Sequence, residues 1–127
     1  MVASALTPEL IKEGADLLRE LDTAEAGVTG AFWFFFPDQS IWKLMLSLPN
    51  VQEGPRAAYE KVQKALSKLS SEQKLSLDDV VITKADGPIL SLLRSAVRTG
   101  RGIAGIRFSN NVINGQLIPD AYIYRIS

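Results

Sequence analysis

Two residue types that carry much of protein chemistry are missing from this 127-residue chain, which contains no cysteine and no histidine. Without cysteine there is no disulfide framework and no thiolate ligand for zinc. Without histidine the chain lacks the commonest general base and the commonest metal ligand, so Ser-His-Asp and Cys-His catalysis within the chain are excluded. We expect no metal and no cofactor, and we favour a protein that is not an enzyme.

Long hydrophobic runs are missing too. The longest wholly apolar run, 31–36, falls far short of the ~20 residues that span a bilayer. The first residues also lack the basic residue and long apolar stretch of a signal peptide. We therefore expect a cytoplasmic protein without membrane contact. The length and the 46% apolar composition are typical of a single soluble domain over 1–127.

Charge is balanced overall but uneven along the chain. Residues 1–50 hold three basic and seven acidic side chains, whereas residues 51–127 hold eleven basic and seven acidic ones. The two parts therefore carry net charges of −4 and +4, which cancel. Every basic residue from position 94 onward is arginine.

Three helices are predicted from capping residues and apolar periodicity. Thr7 and Pro8 are typical of a helix start, and an amphipathic pattern follows over 8–22. Gly54 and Pro55 precede a second pattern over 55–69. A third pattern covers 88–98, where we expect Gly100 to end the helix.

Five strands are predicted between and after these helices. Two form a hairpin within 30–47, a β-branched segment at 79–84 is the third, and the last two flank Asn114-Gly115. The fold class is therefore α+β in the order α-β-β-α-β-α-β-β, with a mixed or mostly antiparallel sheet packed against the helices. Strands 79–84 and 103–109 could form a parallel βαβ unit around the third helix.

Six of the ten aromatic residues lie within positions 32–42. With Phe36 opposite Ile41 in the hairpin, one face is formed by Trp33, Phe35 and Trp42 and is wholly apolar. We expect that face to be core. The other face carries Phe32, Phe34, Phe36, Ile41 and Met45. Helices of the chain could cover this second face, which we favour, or it could bind a protein partner or a second copy in a homodimer.

The last hairpin offers a different surface. Asn114-Gly115 favours a type I′ turn, which places Ile106 opposite Ile123 and Arg107 opposite Tyr122. One face is then apolar, and the other combines Arg107 with Tyr122 and Tyr124 in what could be a small recognition surface. Cross-strand packing is the simpler interpretation. Pro119 suggests that the last strand is a sheet edge, or bulges, near that residue.

The arginine group Arg94, Arg98, Arg101 and Arg107, with the two tyrosines, is the candidate anion-binding site. Arg94 and Arg98 would share one stripe of the third helix, and Arg101 lies between two glycines. Arginine side chains bind phosphate and carboxylate groups well, so nucleic acid is an alternative partner. We favour it less than a protein partner. Cations near a helix C-terminus have an ordinary explanation in the helix dipole.

One acidic group remains. Asp78 and Asp79 are adjacent, which on a strand makes a poor metal pair because neighbouring side chains point in opposite directions. We interpret Asp86 as a helix cap. The leading functional hypothesis is therefore a non-enzymatic interaction domain, of the immunity or adaptor type, and the alternative is a phosphate- or nucleic-acid-binding domain.

Overall fold

The computed structural model describes residues 5–49, 55–70 and 72–127. Within these residues the fold is α+β, in the expected order α-β-β-α-β-α-β-β. The helices are α1 (Pro8–Thr23), α2 (Arg56–Leu66) and α3 (Pro88–Arg94), and none of them is long and apolar enough to cross a membrane. The strands are β1 (Gly30–Phe36), β2 (Ile41–Ser47), β3 (Val80–Thr83), β4 (Ile106–Ile113) and β5 (Gln116–Ile126).

Helix α1 begins where the sequence predicts. The side-chain oxygen of Thr7 accepts a hydrogen bond from the backbone N–H of Leu10 at 3.2 Å, and Pro8 occupies the first helical position. The first N–H groups of a helix have no partner within the helix. Thr7 accepts a hydrogen bond from one of them, and Pro8 has no N–H that needs a partner. The amphipathic pattern then turns one side of α1 towards the sheet.

The aromatic hairpin forms the centre of a sheet whose strand order is β3-β2-β1-β5-β4. Strands β1 and β2 are antiparallel in the predicted register, with Phe36 opposite Ile41 and Phe35 opposite Trp42. Strand β1 also pairs antiparallel with β5, so the aromatic strand has a neighbour on each side. Central position explains the unbroken apolar run of this strand, because both of its faces are covered.

The parallel pair of the sheet is β2 with β3, in which Leu44 lies opposite Val80. Helix α2 is therefore part of the crossover between parallel strands. The expected parallel unit of 79–84 with 103–109 is wrong, because β3 and β4 form opposite edges of the sheet. The short turn at Asn114-Gly115 keeps β4 beside β5, and β5 takes the place next to β1.

Helices α2 and α3 are shorter than predicted. Helix α2 ends at Leu66 rather than 69 and follows Pro55, while Gly54 lies outside the described residues. Helix α3 ends at Arg94 rather than 98, and the hydroxyl of Ser95 donates a hydrogen bond to the carbonyl of Leu92 at 2.6 Å. Serine hydroxyls compete in this way with regular helical bonding. The expected stop at Gly100 is therefore wrong.

The last hairpin has the predicted turn and pairing. Asn114 and Gly115 both have positive φ, at 50° and 79°, as a type I′ turn requires. Ile106 lies opposite Ile123. The fourth strand, however, runs over Ile106–Ile113 rather than 103–109.

Strand β5 is not a sheet edge, since it lies between β1 and β4. Its pairing with β1 extends only from Ile126 to Ala121, so Pro119 lies beyond it. On that side Pro119 has no neighbouring strand. Proline is tolerated at such a position because no strand there requires a hydrogen bond from the N–H that proline lacks. The edge expected at Pro119 is therefore confirmed only for this end of β5.

Two hydrophobic layers cover the two faces of the sheet. Helices α1 and α2 pack on one face, and α3 packs on the other. The first layer includes Leu17, Leu18, Leu21, Trp33, Trp42, Leu44, Val62 and Tyr124. The second layer includes Phe32, Phe34, Met45, Leu90, Leu93, Ile118, Ala121 and Ile123.

Candidate functional site

The aromatic face proposed for a partner is largely occupied by this chain. Phe32, Phe34 and Met45 are buried in one cluster with Leu90 and Leu93 of helix α3. Contact is close, because a Cβ added to Gly30 of β1 would lie 3.0 Å from both methyl groups of Leu90. A helix of the chain itself, α3, therefore covers this face, as the favoured interpretation of the sequence expected.

Phe36 and Ile41 are the members of that candidate set that keep partial exposure. They lie at the loop end of the hairpin, beyond the part of β1 that pairs with β5. The ring of Phe36 stacks edge to face on Phe34 with centroids 5.2 Å apart, and Phe36 packs against the α3 layer. Two partly covered side chains do not form the broad exposed apolar patch that binding of a partner through this face would require.

The structure does not bring the four candidate arginines together. Arg94 lies on α3 and donates hydrogen bonds to the carbonyls of Ala85 and Ser127, at 3.0 and 3.3 Å. Because α3 ends at Arg94, Arg98 does not continue its stripe, so that expectation is wrong. Arg107 packs on the opposite face of the sheet, with its guanidinium over the Trp42 ring at 5.4 Å from the centroid.

Arg107 is engaged by a partner of its own chain. It donates two hydrogen bonds to the carboxylate of Asp120, at 2.6 and 2.7 Å, and Ser109 donates a third to the same carboxylate. The Arg107 bonds hold the pKa of Asp120 below its ordinary value, and the same bonds raise the pKa of Arg107. The charge of this guanidinium is balanced within the chain, so an external anion has to compete with the Asp120 carboxylate.

Tyr124 is not part of an open recognition surface, which corrects the sequence-based expectation. Its side chain is 1% exposed beneath α1, where its hydroxyl accepts a hydrogen bond from Trp33 Nε1 at 2.9 Å and donates one to the carbonyl of Ile11 at 2.6 Å. Burial raises the pKa of this phenol. Tyr122 is partly buried against the same layer, so the simpler packing interpretation describes both tyrosines.

A β-bulge places the end of β5 against α1. Ala31 of β1 lies opposite Arg125, but the next residue, Phe32, lies opposite Ile123, so Tyr124 has no partner in β1. A bulge of this kind puts two successive side chains on one side of the sheet. Tyr124 and Arg125 accordingly both contact α1, and the following Ile126 packs in the opposite layer.

Arg125 is the only buried arginine among the described residues. It is not among the residues selected from the sequence. It donates hydrogen bonds to both carboxylate oxygens of Asp22, each at 2.8 Å, and further bonds to the carbonyls of Val28 and Gly102. Its position directly after Ala121, Tyr122, Ile123 and Tyr124 was an available signal, because a charge in such a stretch needs a partner once buried.

A cavity of about 490 Å³ lies beside this ion pair. Asp22, Arg125, Glu25 and Arg101 contribute its charged groups. The cavity therefore joins one predicted arginine, Arg101, to three residues that sequence reasoning did not select. The other lining residues are Gly27, Val28, Thr29 and Ser127.

The outer part of the last hairpin forms a two-stranded ribbon. Beyond Ala121, strand β5 pairs with β4 alone. Within the ribbon both strands change which side chains face α3. Ala121 and Ile123 pack in the α3 layer, and so does Ile118, although regular alternation would turn Ile118 to the other side.

The change occurs at one place in each strand. Asn110, with φ of 52°, and Pro119 would be opposite each other, but the pairing passes directly from Ser109–Asp120 to Asn111–Ile118. Val112 and Leu117, opposite each other, are consequently left on the side away from α3, 67% and 60% exposed. They are the large exposed apolar side chains of the described residues, and we call them the ribbon pair.

The ribbon is also free of charge. Residues 108–119 include no Asp, Glu, Lys or Arg, and eleven of these twelve residues are exposed or partly exposed, Ile118 being the buried one. Charged side chains are the usual protection of an exposed edge against association. Sequence could have revealed this segment, because its lack of charge is visible without coordinates.

The acidic residues form no metal site in the described part of the chain. Asp79 is buried and caps the short 3₁₀ turn at Leu77–Asp79, where its carboxylate accepts a hydrogen bond from the N–H of Ser76 at 3.0 Å. Asp86 is not the cap of α3, since Gly87 takes that position without a side-chain bond. The helix begins there with Pro88, which needs no donor partner.

A scan against models of protein families and searches of curated proteins and of solved structures found no match to this chain.

Proposed function

We propose that this chain is a small, non-enzymatic protein-interaction domain of the cytoplasm that associates with a second copy of itself through the ribbon pair, Val112 and Leu117. The observation that carries the proposal is the exposure of these two facing apolar side chains, 67% and 60%, on a ribbon without charge. Removing such side chains from water is the main driving force of association.

Absence of charge favours a second copy as the partner. A two-fold axis places a surface against itself, so each charge near the axis would approach its own sign. The segment 108–119 has no charge to repel, and the flanking Arg107 and Asp120 neutralise each other. Net charge of zero also removes long-range repulsion between copies.

Packing of the ribbon faces is favoured over continuous strand pairing along the free edge of β4. The positive φ of Asn110 interrupts that edge between Ser109 and Asn111. An interruption of this kind hinders the addition of a long neighbouring strand. The face that carries Val112 and Leu117 remains accessible.

Nucleic-acid binding has less support. Arg107 is paired with Asp120, and Arg94 bonds to backbone carbonyls on the opposite side of the sheet. The candidate arginines therefore offer no common surface for a phosphate chain. Salt-dependent binding of the protein to RNA or DNA would contradict this inference.

The test is sedimentation velocity over a wide concentration range, with Leu117→Lys as the disrupting variant. We expect reversible dimers of the wild type and at least about a tenfold weaker association of the variant, equivalent to roughly 1.4 kcal/mol. Gln116→Lys is the matched control, because it adds the same charge to the neighbouring exposed residue, which faces the other side of the ribbon.

Two results would overturn self-association. One is a wild type that stays monomeric at the highest attainable concentration. The other is an equal loss of association in Leu117→Lys and Gln116→Lys, which would mean that added charge rather than the ribbon pair decides the outcome. Circular dichroism of both variants establishes that they are folded.

A further inference from the structure

The cavity beside Asp22 and Arg125 has the size of a small-molecule site. Its volume of about 490 Å³ lies inside the range of roughly 300–1,000 Å³ that is usual for such sites. It lies near the junction of four segments, namely the end of α1, the loop before β1, the loop before β4 and the end of β5. Neither the ribbon nor the α3 face contributes to it.

Arg125 is a buried lining residue of the cavity and retains a donor. Its side chain is 4% exposed and uses four of its five N–H groups, two towards Asp22 and one each towards Val28 and Gly102. The remaining N–H is on Nη2. The side chain of Asp22 is 40% exposed, so it is also accessible from the open side of the cavity.

Glu25 and Arg101 provide the two charges at the rim. Each is exposed, and neither side chain has a hydrogen bond or an ion pair with the described residues. Glu25 has a φ of 56°, in the left-handed region that a helix end normally gives to glycine. Arg101 lies between Gly100 and Gly102, where an added Cβ would meet nothing within 4 Å, so the guanidinium has room to turn towards a ligand.

The balance of charges selects the class of ligand. Two side-chain carboxylates and two guanidiniums line the cavity. A simple anion would meet Asp22 and Glu25, and a simple cation would meet Arg101 and Arg125. A molecule that carries separate positive and negative groups can satisfy both kinds of side chain.

We propose that this cavity binds a small zwitterion, of which a free α-amino acid is the simplest. The ammonium group lies towards Glu25 and the open side of Asp22. The carboxylate accepts hydrogen bonds from Arg101 and from the remaining Nη2–H of Arg125. This site is independent of the ribbon pair, so its test does not depend on self-association.

The test is an NMR titration of the ¹⁵N-labelled protein with each of the twenty amino acids, alongside acetate, methylammonium and inorganic phosphate. We expect saturable shifts of the amides around Glu25 and Arg101 with at least one amino acid. We expect its affinity to exceed those of acetate and methylammonium by at least about tenfold, because each of these carries only half of the charge pattern.

Single variants identify the binding groups. Glu25→Gln and Arg101→Gln should each weaken binding by at least about tenfold. Both side chains are exposed and make no bond to the described part of the chain, so these variants are expected to fold. Arg98→Gln is the matched control, since Arg98 is an exposed arginine of the same segment that does not line the cavity.

Three outcomes would overturn the proposal. They are the absence of saturable binding up to millimolar amino acid, equal losses in Arg101→Gln and Arg98→Gln, and phosphate binding that is as tight as amino-acid binding and insensitive to Glu25→Gln. The last outcome would identify an anion site instead. Sedimentation of the same variants should show unchanged self-association, which separates this test from that of the proposed function.

Discussion

Gly14 of helix α1 lies directly against the hydroxyl of Tyr124 of β5. A Cβ added to Gly14 would collide with that hydroxyl and would approach Trp33 Nε1 to 3.0 Å. The missing side chain therefore lets α1 settle on the two aromatic residues that share a buried hydrogen bond. Close approach of a helix to a sheet is one of the few reasons to keep glycine within a helix, where it costs about 1 kcal/mol relative to alanine.

Gly14→Ala should destabilise the fold, although the same change in an unobstructed helix is stabilising. The added methyl group must displace Tyr124 or the helix, and overpacking of this kind costs about 1–3 kcal/mol. Urea unfolding followed by circular dichroism measures the change. A gain in stability would contradict the contact.

A double-mutant cycle with Tyr124→Phe isolates the contact. Tyr124→Phe alone should cost about 1–3 kcal/mol because it leaves the Trp33 indole N–H buried without an acceptor. In that background Gly14→Ala should cost less than in the wild type, since the obstructing oxygen is gone. Tyr122→Phe is the control, and we expect it to leave the cost of Gly14→Ala unchanged.

Asp22→Ala should destabilise the protein by leaving the guanidinium of Arg125 buried without its counter-charge. Loss of one partner from a buried pair costs roughly 3–5 kcal/mol, and we expect about 2 kcal/mol here because water reaches the partly exposed side of the site. Chemical unfolding provides the measurement. The comparison is Asp38→Ala in the exposed loop between β1 and β2, and an equal effect of both variants would contradict a structural role of the pair.

The ion pair of Asp120 with Arg107 should make stability depend on acidic pH. Its hydrogen bonds lower the pKa of Asp120 from the ordinary 3.8 in the folded state. A lowered folded-state pKa stabilises the fold fully above the unfolded-state value, and the contribution disappears as pH falls through the folded-state value. Asp120→Asn should therefore be less stable than the wild type at neutral pH, with a difference that shrinks below about pH 4.

Unfolding curves of both proteins between neutral and strongly acidic pH provide the measurement. Asp38→Asn serves as the comparison, because Asp38 is exposed in a loop. A difference between wild type and Asp120→Asn that is constant across this range would show that the carboxylate charge is not involved.

Local patterns predicted much of the fold. Thr7 and Pro8 set the start of α1, the loop at 37–40 set the register of β1 with β2, and Asn114-Gly115 set the turn of the last hairpin. Each of these features depends on residues close together in the chain. The lengths of α2 and α3 were overestimated, because apolar periodicity continues past the point where Ser95 and neighbouring loops take over the hydrogen bonds.

The candidate sites were predicted less well because they depend on contacts between distant segments. Arg101 was selected, but the cavity that it lines is completed by Asp22 and Arg125, which are far apart in sequence and form an ion pair. Tyr124 was expected at a surface, but it lies on the face of the sheet that α1 covers, and the bulge opposite Ala31 and Phe32 turns Arg125 to that same face. One extra residue in a strand changes the side on which every following side chain lies.

The sequence by itself determined the α+β class, the order of the elements and the core nature of the aromatic hairpin, since these follow from periodicity, turn residues and the number of apolar side chains. Only the tertiary structure decided that α3 covers Phe32 and Phe34, that the arginines separate, and that Val112 and Leu117 are left exposed. The physical reason is that strand order and strand irregularities arise from long-range pairing. A break in alternation at Asn110 and Pro119 changes which side chains are exposed without leaving a clear periodic signal.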